Sequence, residues 1–74
     1  MARVVHLFKG DHVAEARTTI EPQVRAGDQV TVALLGGAAA SSLPPGVEAR
    51  RVPEELSYEE LLELIFAADH VVTW

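Results

Sequence analysis

The chain has 74 residues and a mass of 8.0 kDa, which fits one small domain, because chains rarely divide into separate cores until they are several times longer. It contains no cysteine, which excludes disulfides, thiolate metal ligands and a persulfide-carrying nucleophile. Eleven acidic residues against six basic ones give a formal charge of −5, the wrong sign for direct binding to nucleic acid or an anionic membrane. No apolar run approaches the length that spans a bilayer and nothing at the amino terminus marks export, so we expect a single soluble, cytoplasmic domain over residues 1–74.

The first third of the chain predicts a strand followed by a helix. Residues Val4 to Phe8 form a nearly continuous apolar run, as in a strand that is covered on both faces. From Val13 to Val24 the apolar residues recur three or four apart, which predicts a helix with Asp11 as its N-cap and Gly27 at its end. Pro22 lacks a backbone donor, so we expect a kink or break in the turn before it, at residues 18–21.

Two further strands are predicted on either side of a segment rich in glycine, alanine and proline. The β-branched and apolar residues of Gln29 to Leu35 indicate the second strand. The alanines after it could form one or two helical turns before Pro44-Pro45-Gly46 imposes a turn. Val47 to Val52 is the third strand, and its charged residues predict a partly exposed position at a sheet edge or subunit border.

A capping box marks the start of the second helix. Ser57 is the N-cap and Glu60 its partner, while Leu56 and Leu61 occupy the positions of a hydrophobic staple. We expect an apolar stripe along this helix, formed by Tyr58, Leu61, Leu62, Ile65 and Phe66. We expect an acidic outer face, formed by Glu59, Glu60 and Glu63. The segment from His70 to Trp74 is a short fourth strand or an extended tail.

This alternation of strands and helices predicts an α/β fold with a mostly parallel four-stranded sheet and two main helices. Two helices cannot cover both faces of four strands, because a helix is about 10 Å wide and four strands span nearly twice that. We therefore expect an oligomer rather than a free monomer.

Three stretches of the chain resemble the DsrH/TusB-like branch of the DsrE sulfur-relay superfamily. They are F-K-G-D-H at 8–12, A-G-D-Q-V-T-V-A-L-L-G-G-A-A at 26–39, and L-S-Y-E-E-L-L-E-L ending at Leu64; Trp74 is similar to the aromatic end of several members. The resemblance implies a small flavodoxin-like subunit that assembles with DsrE- and DsrF-like chains and helps to pass sulfur toward tRNA 2-thiouridine or through sulfur oxidation. The transferring group of that superfamily is a cysteine, so no catalytic residue carries over to this chain. The segment from Val52 to Leu56 is also shorter than in many members.

A ligand pocket is the alternative function, since ligands of open α/β sheets bind beyond the carboxyl ends of the strands. His12 with Asp11 could be an acid/base or anion-contact pair, although an exposed histidine beside an N-cap aspartate is the favoured interpretation. A phosphate cradle at Gly36-Gly37 is disfavoured against simple turn chemistry, because the lysine and glycine spacing of a P-loop is missing. The candidate pocket residues are Lys9, Asp11, His12, Ser41 and Ser42.

The remaining candidates concern interfaces rather than chemistry. Tyr58 and Trp74 could anchor an interface or cap the core, and for Trp74 we favour the interface. His6 and His70 have no metal-like spacing to carboxylates, so both are expected to be packed or at an interface, and we assign no metal and no cofactor. A row of glutamates could dock a basic partner but is more typical of a solvated helix face; its members are Glu54, Glu55, Glu59, Glu60 and Glu63. A purely structural oligomeric domain is a third possibility.

Overall fold

The computed structural model describes residues 2–9, 13–36 and 43–74, and only the backbone at 13–15. The elements are, in chain order, β1 (Arg3–Phe8), α1 (Val13–Arg25), β2 (Gln29–Leu35), β3 (Glu48–Val52), α2 (Tyr58–Ala67) and β4 (His70–Thr73). The four predicted strands and the two main helices are present, with β1 one residue longer and β3 and β4 one residue shorter than predicted. The Asp11 N-cap and the helical turns expected among the alanines lie outside the described residues. Of the helices in the described ranges, neither is long and apolar enough to cross a membrane.

The four strands form one sheet in the order β3-β2-β1-β4, and every pair of neighbours is parallel. The α/β prediction of a four-stranded sheet with two helices is confirmed. β3 lies at one edge, as its charged residues predicted, and β4 lies at the other. After β3 the chain therefore crosses back over the sheet to place β4 beside β1.

The two helices cover opposite faces of the sheet. Ala16 and Ile20 of α1 pack with alternate residues of β1 and β2 in one core cluster, while Leu61 of α2 packs with Ala33 and Val52 in a second. Successive residues of a strand point to opposite faces, so β1 and β2 contribute to both clusters and are buried along most of their length.

Helix α1 runs unbroken through Pro22 to Arg25, so of the predicted kink or break at residues 18–21 the break is wrong. The proline falls in the last turn, where only its own donor is lost and the residues after it still bond: the Ala26 N–H donates to the Pro22 carbonyl at 2.9 Å. Gly27 closes the helix as predicted. It has a φ of 85°, and the Asp28 and Gly27 N–H groups donate to the carbonyls of Gln23 and Val24.

Helix α2 begins as the capping box predicts. The Glu60 N–H donates to Ser57 Oγ at 3.1 Å, and the Ser57 N–H donates to Glu60 Oε1 at 3.1 Å. Leu56 packs in the same cluster as Leu61, which agrees with the predicted staple. The start of α2 is thus determined by six consecutive residues, Leu56 to Leu61.

Candidate functional site

The carboxyl edge of the sheet is described only in part. Lys9 follows β1 and is exposed, and Gly36 follows β2 with a φ of 59°. The other predicted pocket residues, Asp11, His12, Ser41 and Ser42, lie outside the described residues. The pocket at this edge therefore stays a prediction.

Next to this edge, a chain of hydrogen bonds joins Trp74, His6 and Gln23. Trp74 Nε1 donates to His6 Nδ1 at 2.9 Å, and His6 Nε2 lies 2.8 Å from Gln23 Oε1. An indole N–H can only donate, so Nδ1 must be the acceptor and the imidazole proton sits on Nε2, facing the Gln23 oxygen. The three side chains link β1, the segment after β4 and α1.

This arrangement keeps His6 neutral and structural. The residue is fully buried, and burial lowers the pKa of its imidazole, an effect that the hydrogen bond to Gln23 opposes. Both ring nitrogens already have partners, so neither can bind a metal or exchange a proton with a ligand while the contacts persist. His6 is packed, as expected, whereas His70 on the edge strand is exposed.

Trp74 contacts the protein's own core. Its ring stacks on those of His6 and Phe8, with centroids 6.2 Å apart in each case and interplanar angles of 18° and 10°. It is half-buried in the chain by itself. Of the two predicted interface aromatics, only Tyr58 is well exposed, at 62%.

The most distinctive surface is on α2. Of its apolar residues, Leu61 is buried, whereas Tyr58, Leu62 and Phe66 are 62%, 54% and 85% exposed. These three residues are spaced four apart and lie on one side of the helix. We call them the α2 stripe. The sequence predicted that these residues share a stripe with Leu61 but not that only one flank of the stripe would meet the sheet.

The predicted acidic face is exposed, and part of it serves the local backbone. All five glutamates are exposed. Glu60 belongs to the capping box, where the Ser57 N–H lowers the pKa of its carboxyl, and Glu55 Oε1 accepts from the Arg51 N–H at 3.1 Å. The face borders the α2 stripe on its solvent side.

Two shallow clefts are found away from the carboxyl edge. One, of about 220 Å³, lies between α1 and Pro44-Pro45, where the Glu21 carboxylate pairs with Arg17 at 2.6 Å and with Arg25 at 3.6 Å. The other, of about 240 Å³, lies under α2 at the amino ends of β1 and β2, and Leu64 and Ala67 form its helical wall. The polar part of the second cleft's lining comes from Arg3, Gln29 and Thr31.

Within the described part of the chain, no group of three or more His, Asp or Glu residues is placed to hold a metal ion.

A scan against protein-family models, a search of curated proteins and a search of solved structures each found no match for the chain. The site must therefore be interpreted from its own geometry, and the α2 stripe is its most informative feature.

Proposed function

We propose that this chain is a non-catalytic subunit that acts by protein–protein interaction through the α2 stripe. The exposure of Phe66, at 85%, carries the proposal, together with Tyr58 and Leu62 beside it. Aromatic side chains that remain exposed as a contiguous apolar patch are typical of interaction surfaces. The whole sequence also lacks the cysteine that sulfur transfer would need.

The resemblance to DsrH/TusB-like proteins supplies the biological context. By that resemblance the chain works in a cytoplasmic sulfur-relay complex, in tRNA 2-thiouridine formation or in sulfur oxidation, beside cysteine-bearing DsrE- or DsrF-like chains. Direct contact with nucleic acid or a membrane has no part in this proposal, since the net charge of −5 opposes both.

The test is to mix the purified chain with cysteine-bearing DsrE- and DsrF-like chains and a sulfurtransferase that supplies labelled sulfur. We expect a stable complex in which the label resides on the partner's cysteine and none on this chain. Label that stays on the isolated chain would contradict the non-catalytic role. Failure to associate with any such chain would remove the sulfur-relay context.

A further inference from the structure

The α2 stripe lies on the side of the helix that points toward β4. Crossovers between parallel strands are right-handed, so, seen from the α2 side with the strands pointing up, β3 is at the left and β4 at the right. Helix α2 then runs downward with Leu61 facing the sheet. Each residue of a right-handed helix turns by about 100°, which directs Leu62 toward β4, with Tyr58 and Phe66 one turn to either side.

β4 continues this apolar surface. It is an edge strand, and Val71, whose side chain is on the α2 face of the sheet, is 41% exposed. The register pairs Val71 with Val5 of β1, and α2 contacts β1 in addition to packing through Leu61 on β2 and β3. The stripe and Val71 therefore border the same corner of the molecule, where the sheet ends beside α2.

The outer edge of β4 lacks the features that protect an edge from pairing. Its sequence H-V-V-T contains no Asp, Glu, Lys, Arg or Pro. The opposite edge strand, β3, has three charged residues among five, and Arg50 Nη2 contacts Glu48 Oε1 at 2.6 Å. Proteins block strand pairing with such charges, so β3 is protected and β4 is open to another strand.

We propose that a second copy of this chain occupies this corner. The two β4 strands pair antiparallel about a two-fold axis perpendicular to the sheet, which joins two four-stranded sheets into one of eight strands. The same axis places both α2 helices on one face, side by side and antiparallel, with their stripes in contact. This inference rests on the proposed function, because it names the partner of the α2 stripe, the surface through which that function is proposed to act.

Self-complementarity favours a second copy over an unrelated protein. An edge strand paired about a two-fold axis supplies its own partner, and an apolar stripe meets an identical apolar stripe. Glu59 and Glu63 lie about 160° and 200° around the helix from Leu61, so they point to solvent and their mutual repulsion is screened at the rim. At the centre of the contact no charges of the same sign face each other.

The exposed rings supply a substantial part of the area that such an interface needs. A standard interface buries about 800 Å² per partner. Aromatic side chains bury about 150–250 Å² each, so at the exposures of Tyr58 and Phe66 these two rings alone supply roughly 200–350 Å². Leu62, Val71 and the β4 backbone add to this. The interface also relieves the thin stability margin of a small domain.

The test uses the purified chain alone, with single cysteines introduced at Val71→Cys and, as control, at Thr19→Cys on α1. Because the natural sequence has no cysteine, any disulfide joins two copies at the introduced position. We expect a mass of about 16 kDa by sedimentation, twice the 8.0 kDa of the chain, and disulfide-linked dimers under mild oxidation for Val71→Cys only. Equal cross-linking at Thr19, or a mass near 8.0 kDa up to millimolar concentration, would overturn the inference.

Charge variants test both halves of the interface. Phe66→Glu and Val71→Lys should each reduce the mass to that of one chain while the circular dichroism spectrum keeps its helical signal, and Thr19→Glu should leave both the dimer mass and the spectrum unchanged. A dimer that persists in both folded variants refutes the geometry, and persistence in Val71→Lys alone refutes the β4 pairing. If Phe66→Glu does not fold, Leu62→Glu replaces it.

The outcomes separate this inference from the proposed function. A chain that is monomeric alone but binds a DsrE-like chain through Phe66 overturns the second-copy inference and supports the proposed function. A dimer that binds no DsrE-like chain supports the inference and removes the sulfur-relay context.

Discussion

His6 is the residue at which one buried group connects three parts of the fold. Its Nδ1 accepts from Trp74 and its Nε2 faces Gln23, with the ring fully buried. Protonation would place a hydrogen on Nδ1, directly opposite the indole N–H. The folded state therefore requires neutral imidazole, which agrees in sign with the lowered pKa.

We expect the free energy of unfolding to fall as the pH decreases below 6.5, the ordinary pKa of histidine. Burial lowers the pKa of His6 in the folded chain, so the unfolded chain takes up the proton first. The stabilisation is complete above pH 6.5 and is lost as the pH falls toward the lowered value. This pH dependence of the free energy of unfolding can be measured by denaturant unfolding at a series of pH values, with the fluorescence of Trp74 as the signal.

His70 provides the control for this titration, because it is exposed on β4. His70→Gln should keep the pH dependence, whereas His6→Gln should be less stable at neutral pH and should lose most of the dependence that sets in below pH 6.5. The same slope in both variants would show that another group causes it.

At the scale of single elements, the capping box can be tested independently of packing. Ser57→Ala removes the acceptor of the Glu60 N–H and should lower the free energy of unfolding by about 1 kcal/mol. Glu59→Ala, on the same exposed turn but outside the box, should change it by less than about 0.5 kcal/mol. Equal shifts of the denaturant midpoint in the two variants would contradict the assigned helix start.

Two glycines with positive φ distinguish backbone strain from crowding. Gly27 and Gly46 have φ of 85° and 90°, but an added Cβ meets nothing within 4 Å at Gly27 and lies 2.9 Å from Val24 Cγ1 at Gly46. Gly27→Ala should therefore cost only the left-handed conformation, about 1–2 kcal/mol, and Gly46→Ala clearly more. Thermal unfolding of both variants measures the difference. If Gly46→Ala is the milder of the two, the turn does not pack on α1 as described.

The elements that sequence predicted well depend on neighbouring residues. The capping box and the Gly27 closure each need only a few consecutive positions. The strand and helix propensities of residues, and the spacing of apolar residues within one element, are also properties of short stretches of sequence. The packing of α2 is different: the five apolar residues of its predicted stripe occupy a wider arc of the helix than the sheet covers, and only tertiary contacts select Leu61 as the buried one. The Trp74–His6 bond joins residues 68 positions apart, which no local pattern reveals.

At the scale of the whole molecule, strand order decides which surfaces stay open. Because β4 lies beyond β1 rather than beyond β3, the second crossover runs back across the sheet, and right-handedness then places α2 on the face opposite α1. The sequence left open whether the helices share a face. Dividing them leaves part of each face uncovered. On the α2 side this part includes the charged residues Glu48 and Arg50 of β3, while the exposed apolar residue among the described strands is Val71 of β4.

The same strand order predicts a gradient of protection against amide hydrogen exchange. β1 and β2 are paired on both sides and largely buried, so their amides exchange only when the sheet opens as a whole. β3 is paired on one side and mostly exposed, so its amides should exchange faster at any protein concentration. Both sets of exchange rates, those of β1 and β2 and those of β3, can be measured by mass spectrometry or NMR after transfer of the protein to D₂O.

For β4 the outcome should depend on concentration. In the single chain it is an exposed edge strand like β3, but in the proposed dimer its outer backbone groups are paired. We therefore expect β4 amides to become slower than those of β3 as the concentration rises through the dissociation constant, and Phe66→Glu to abolish this change. Protection of β4 that equals that of β3 at every concentration would mean that its edge stays open, whatever else the α2 stripe binds.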